Sequence, residues 1–136
     1  MANEVAIIEL FGHPKGRPIR YTVADGTGIA KGALLVVTDP RTAVAHTTGT
    51  TAFVGVAASE KVASDGQVSL AAYTDGIFDI TAAAAGVTTV GYMVALSATA
   101  NMTTLAVEAD FPTGGVVGQV LESQANDERS AIRINK

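Results

Sequence analysis

Hydrophobic and polar positions along this chain change character every eight to twelve residues, the spacing of short strands between turns. Ala33–Thr38 is an apolar run with strand composition, ended by Asp39-Pro40, because proline lacks the amide that pairing needs. Arg41–His46 alternates as a return strand, Thr47–Thr51 is a turn, and Ala52–Ala58 is the next apolar run. After the turn at Asp65-Gly66, Gln67–Tyr73 alternates Val, Leu and Ala with polar residues, as a half-buried strand does. Asp75-Gly76 leads into a period-two strand, Ile77–Ile80. Thr81–Gly86 is the one helical piece, with a Thr cap and a closing Gly.

The first 24 residues read differently. Val5–Phe11 can pair as a strand, but Gly12, Pro14, Gly16 and Pro18 then exclude a helix or a central strand. With Lys15, Arg17 and Arg20 between them, residues 1–24 read as an extended arm, up to about 80 Å long at ~3.3 Å per residue; the alternative is a frayed terminus. Phe11, Ile19 and Tyr21 among the bases favour a contact arm.

The second half of the chain echoes the first. Gly32–Val36 is answered by Gly91–Leu96, Val54–Ala57 by Val117–Val120, and Gln67–Leu70 by Ser130–Ile134, with a Thr-rich return segment after the first strand each time. The offsets are 59, 63 and about 64 residues. Apart from chance similarity among Val/Ala/Gly strands, this predicts an all-β fold: a small β-sandwich or barrel of two similar lobes with one short helix. The pseudo-repeats fall at about 28–73 and 87–136 of a single β-domain over 25–136. Asp75–Ile80 has no counterpart after Ile134 and joins the lobes.

Composition sharpens this picture. The chain is 48% hydrophobic but 5% aromatic, so Ala and Val carry much of the apolar surface and the core is expected to be thin, with oligomerisation adding stability. Without cysteine there is no disulfide or thiolate metal site. The N-terminus has acids ahead of its apolar run and no small-residue cleavage site, unlike a secretory signal. The uncharged stretch from Ile80 to Val107 is Thr-rich and flanked by Asp79 and Glu108, as soluble strands are and a membrane span is not. The net charge of −4 divides into +1 over residues 1–41, −8 over 42–128 and +3 over the last eight. An acidic body argues against direct nucleic-acid binding, while basic ends suit an acidic protein surface.

Catalytic signals are sparse. His13 and His46 lie 33 residues apart with no neighbouring carboxylate pattern, and no serine sits in a nucleophile-elbow motif. In ADGTGIAKGALLVV, Lys31 precedes Gly32 and Ala33 stands where a phosphate loop needs a hydroxyl, so a β-turn explains the glycines. Asp75 and Asp79 would share one face of a strand, open to a cation or to edge polarity. Asn101-Met102-Thr103 matches a glycosylation sequon without any sign of secretion. A dUTP-pyrophosphatase reading fails because Thr113–Gly118 is followed by acids instead of phosphate ligands. No cofactor is implied, and the chain reads as a non-enzyme.

From about Gly28 onward the order of segments resembles the head-decoration, or capsid cement, proteins of tailed bacteriophages. The resemblance is carried by Lys31–Val37, Phe53–Ala57, Gly66–Leu70, Asp75–Ile80, Val90–Val94, Val117–Val120 and Ala131–Ile134. It implies a homotrimer on the outer surface of the expanded capsid, bridging capsomers built of the major capsid protein. It also implies that the N-terminal segment contacts the capsid or a neighbouring subunit, with Phe11, His13, Lys15, Arg17, Arg20 and Tyr21 as the candidate residues. The alternative is a tail, baseplate or cell-surface β-module, structural or glycan-binding.

Overall fold

The computed structural model describes residues 4–9, 18–49, 51–83, 89–123, 125 and 128–135. Its strands are β1 (Ala6–Glu9), β2 (Ile19–Thr22), β3 (Leu34–Asp39), β4 (Thr42–Ala45), β5 (Phe53–Ala57) and β6 (Ser69–Tyr73), then β7 (Asp75–Ala82), β8 (Met93–Leu96), β9 (Met102–Leu105), β10 (Val116–Val120) and β11 (Arg129–Asn135). One short helix, α1 (Asp110–Thr113), precedes β10 and is closed by Gly114 in the left-handed conformation.

The strands form two closed rings. The first barrel runs β2-β4-β3-β5-β6; in the second, β7-β11-β10-β8-β9 closes through a β7–β9 pairing, with β1 added alongside β7. The two rings have the same wiring. Each closes through one parallel pair, Thr22 with Thr42 in the first and Thr81 with Met102 in the second, and the other pairings are antiparallel. The expected all-β, two-lobed architecture is what the chain adopts, as barrels and not as a sandwich.

Pairing register corrects the boundaries of the repeat. Ile19 pairs with Ala72 as Phe78 pairs with Ile132, so the counterpart of Asp75–Ile80 is β2, and the last-strand offset is 60 residues instead of about 64. The first unit therefore begins inside the segment read as an arm. Residues 4–9 and 18–22 are not a separate arm: β1 pairs with β7, and β2 is a wall of the first barrel. The strand read at Asp75–Ile80 is β7, whose Asp75 and Gly76 pair with Asn135 and Ile134 of β11. One local expectation changes. Thr81 and Ala82 finish that strand, so the helical piece expected there is absent at its described start; residues 84–88 lie outside the described residues. A Thr cap and four alanines supply barely one helical turn, too little to compete with two ladders.

Side-chain alternation sorts the core. Leu35, facing one way from β3, packs with Ala43, Ala57, Leu70 and Ala72 inside the first barrel. Leu34 and Val36, facing the other way, join Phe53 and Val56 in a larger cluster with Phe78, Ile80, Val94 and Ile132 of the second barrel. Burial on both faces explains why β3 reads as an unbroken apolar run. A five-stranded ring is narrow, so alanines fill the first barrel, in keeping with the low aromatic content.

Two glycines occupy equivalent bulges. The register slips beside Gly55 where β5 meets β3 and beside Gly118 where β10 meets β8. A Cβ would come 2.6 Å from Tyr73 O at Gly55 and 2.1 Å from Arg133 O at Gly118, which no side chain tolerates without backbone movement.

Candidate functional site

The candidate contact residues divide when placed in the fold. Phe11, His13, Lys15 and Arg17 lie outside the described residues. Arg20 is exposed on β2, whereas its neighbour Tyr21 is half buried against the first barrel's interior. Successive strand residues point to opposite faces, so Arg20 is left outward and Tyr21 serves the core. The sequence reading missed Arg41, whose Nη2 donates to Arg20 O at 3.0 Å. Arg41 has φ 49°, an uncommon conformation for a residue other than Gly, Asn or Asp, and it sets an exposed guanidinium beside β2. No sequence signal beyond the Pro40 turn marked it.

The chain is anchored on both sides of residues 10–17. Before them, Val5 N–H donates to Gly32 O at 2.8 Å and β1 pairs with β7. Arg129 donates to Glu4 O and lies 3.7 Å from the Asp79 carboxylate, tying β1, β7 and β11 together. Gly32 (φ +87°) is required here, because a Cβ would sit 2.5 Å from Val5 O. After them, β2 enters the first barrel. Ile7 and Ile8 of β1 stay 39% and 53% exposed.

The sole base of the acidic central stretch, Lys61, has a fully buried side chain. Its Nζ donates to Asp25 O at 2.6 Å and to Val62 O at 3.2 Å, and it lies 3.4 Å from the Asp65 carboxylate and 3.8 Å from that of Asp25. Ile29 and Lys61 also exchange backbone hydrogen bonds of 2.9 and 2.8 Å, locking the 25–30 loop to the 58–66 loop. The Gln67 N–H holds the Asp65 carboxyl below its ordinary range; desolvation opposes it, and Lys61 and the Val62 N–H add to the lowering. All these donors and acceptors are spent on loop anchoring. A lone base among nine acids was the sequence signal for such a knot.

The other chemical candidates resolve into structure. Asp75 is buried, Asp79 faces Arg129, and among the described residues no group of three His, Cys, Asp or Glu side chains could hold a metal ion. His46 is buried between the barrels, with Nε2 3.0 Å from Gly49 O and Nδ1 accepting the Asn101 N–H at 3.4 Å. That arrangement needs the neutral ring with its proton on Nε2. No helix among the described residues is long and apolar enough to cross a membrane.

The two closed barrels share a core, the Lys61 cluster anchors loops, and Arg20 and Arg41 are exposed beside each other. The family model described as phage cement protein matches residues 13–135, and the chain belongs to that family. The match begins before β2 and so includes the strand that completes the first barrel. Membership implies association with a phage capsid and points to a structural role. No curated protein matches the chain.

Proposed function

We propose that this protein binds the outside of the expanded capsid as a homotrimer and bridges neighbouring capsomers of the major capsid protein, strengthening the shell without catalysis. The observation that carries this reading is the cement-family match over nearly the whole chain, which favours a capsid location over a tail or baseplate module. The fold supports it physically. Barrels have no open sheet edges to exchange, so they keep their shape under load. A thin alanine-lined interior gains from apolar area buried between copies.

The contact surface in this proposal is the segment holding Phe11, His13, Lys15 and Arg17, continued by Arg20, with Tyr21 fixing β2 to the barrel. Bases on an acidic body orient it towards an acidic shell and away from nucleic acid. Many weak contacts repeated over a lattice suffice for stable decoration.

Co-sedimentation with expanded, undecorated shells tests the proposal. The chain is expected to pellet with shells, to raise their rupture temperature and to give density at local threefold positions by electron microscopy. Combined Lys15→Ala, Arg17→Ala and Arg20→Ala changes are expected to weaken binding about tenfold or more at low salt and less at high salt. Failure to pellet overturns the capsid reading; unchanged affinity of the combined variant overturns the role of the basic surface alone.

A further inference from the structure

The contact between the two barrels is one-sided, and each barrel carries the half that the other uses. The outer side of the first barrel lies against one end of the second. Asn101 Oδ1 accepts Leu34 N–H at 2.9 Å, His46 Nδ1 accepts Asn101 N–H at 3.4 Å, and the rings of Tyr73 and Phe78 are 6.3 Å apart. By the register of the repeat, the side formed by Leu34, His46, Phe53, Val56 and Tyr73 has as its counterparts Met93, Ala106, Val116, Gln119 and Arg133. The end formed by Phe78 and Asn101 has as its counterparts Ile19 and Arg41.

Both counterpart surfaces are open to solvent among the described residues. Ile19 is 41% exposed where Phe78 is 0%, and Arg41 is exposed where Asn101 is buried. On the second barrel, Met93, Val116, Gln119 and Arg133 line an open groove in the place where Leu34, Phe53 and Val56 are buried. Backbone geometry is kept as well: Arg41 and Asn101 are both non-glycine residues at positive φ, 49° and 60°.

We infer that the groove on the second barrel receives the Ile19–Arg41 end of the first barrel of another copy of this chain, repeating between molecules the contact that joins the barrels within one. The occupant follows from continuity with the internal interface, because the chain has already built both halves of that contact on the same backbone. Ile19 lies on Met93 and Val116 as Phe78 lies on its own neighbours. Arg41, a donor where Asn101 offers an acceptor, takes the Glu108 carboxylate two residues beyond Ala106. The interface joins two different surfaces, so copies add head to tail and close into a ring if the rotation allows. It specifies the self-association in the capsid reading and stands independently of shell binding.

The absence of native cysteine makes the test clean. Arg41→Cys and Met93→Cys chains are prepared separately and oxidised with copper–phenanthroline, alone and mixed, in free solution and on decorated shells. The proposal expects disulfide-linked dimers in the mixture and not in either chain alone, and a ladder ending at the ring size when one chain carries both substitutions. Ile19→Asp is expected to reduce self-association at least tenfold with unchanged circular dichroism. Shells that decorate without mixed cross-links overturn this inference and leave the capsid reading standing. Cross-links in free solution without decoration do the reverse. Cross-links from one single variant as strong as from the mixture, or none in any condition, also overturn the inference.

Discussion

The Asn101 side chain of the second barrel caps the first strand of the first barrel's return hairpin: its Oδ1 accepts the buried Leu34 N–H at 2.9 Å across 67 residues of chain. Asn101 holds φ 60°, a conformation asparagine adopts more readily than most residues. Asn101→Gly keeps that backbone and deletes only the acceptor. Leaving a buried amide unpaired costs about 1–3 kcal/mol. Chemical denaturation should show that loss for Asn101→Gly, and a larger one for Asn101→Val, which adds β-branched strain at positive φ. An unchanged midpoint for both would remove the clasp from the list of forces joining the barrels.

The two bulge glycines answer to backbone crowding. Gly55→Ala and Gly118→Ala each force a carbonyl to move, that of Tyr73 or of Arg133, and each is expected to cost about 2–4 kcal/mol. Gly26→Ala is the control: a Cβ there meets nothing within 4 Å, so thermal melting should move by no more than the equivalent of about 0.5 kcal/mol.

Lys61 anchors two loops from a fully buried position. Lys61→Met keeps the aliphatic stem but leaves the carbonyls of Asp25 and Val62 without their donor, at a cost of about 1–3 kcal/mol. Proteolysis is expected to cut first within residues 58–66 of this variant. Cleavage kinetics identical to the parent chain would show that the loops are held by their backbone bonds alone.

Acidification should act through Asp65. Its folded pKa is depressed below the unfolded one, so the stabilisation is complete above the ordinary carboxylate range and is lost as pH falls through the folded value. Asp65→Asn should therefore flatten the acid limb of a stability–pH curve and leave the curve's shape near neutrality unchanged. A parallel acid limb in parent and variant would place the titrating group elsewhere.

N-terminal truncation should be tolerated only up to β1. Removing residues 1–9 uncovers part of β7 and Gly32 but leaves both rings closed, so the chain should fold with a lowered melting temperature. Removing residues 1–22 deletes β2, which pairs with both β6 and β4, and should abolish the first barrel's cooperative transition. Circular dichroism melts of the two truncations separate these outcomes.

Much of the fold was legible in local pattern. The strands of the return hairpins, the glycine-centred strands and the positive-φ glycines at Gly32 and Gly91 stand out because turn chemistry and period-two alternation are written in neighbouring residues. The second barrel echoes the first strongly enough for the repeat to be seen. Ile19–Thr22 escaped notice because four residues after a Pro/Gly run carry little periodicity, and only pairing with β6 makes them a strand. The proposed contact surface was legible only as a collection of bases. Arg20 and Tyr21 could not be told apart as outward and inward until the barrel gave β2 two faces, and Arg41 joins Arg20 through a hydrogen bond across 21 residues.

By itself the sequence determined the all-β character, the duplicated unit, the acidic body with basic ends and the family resemblance, since these rest on composition and on order along the chain. Tertiary structure alone decided that each unit closes as a five-stranded ring, that β2 is the partner of β7 in the repeat, that Lys61 and His46 serve as anchors, and which halves of the barrel-to-barrel contact remain uncovered. The physical reason is range: turns and alternation are fixed within a few residues, whereas register, burial and buried polar partners depend on groups tens of residues apart meeting in a narrow core.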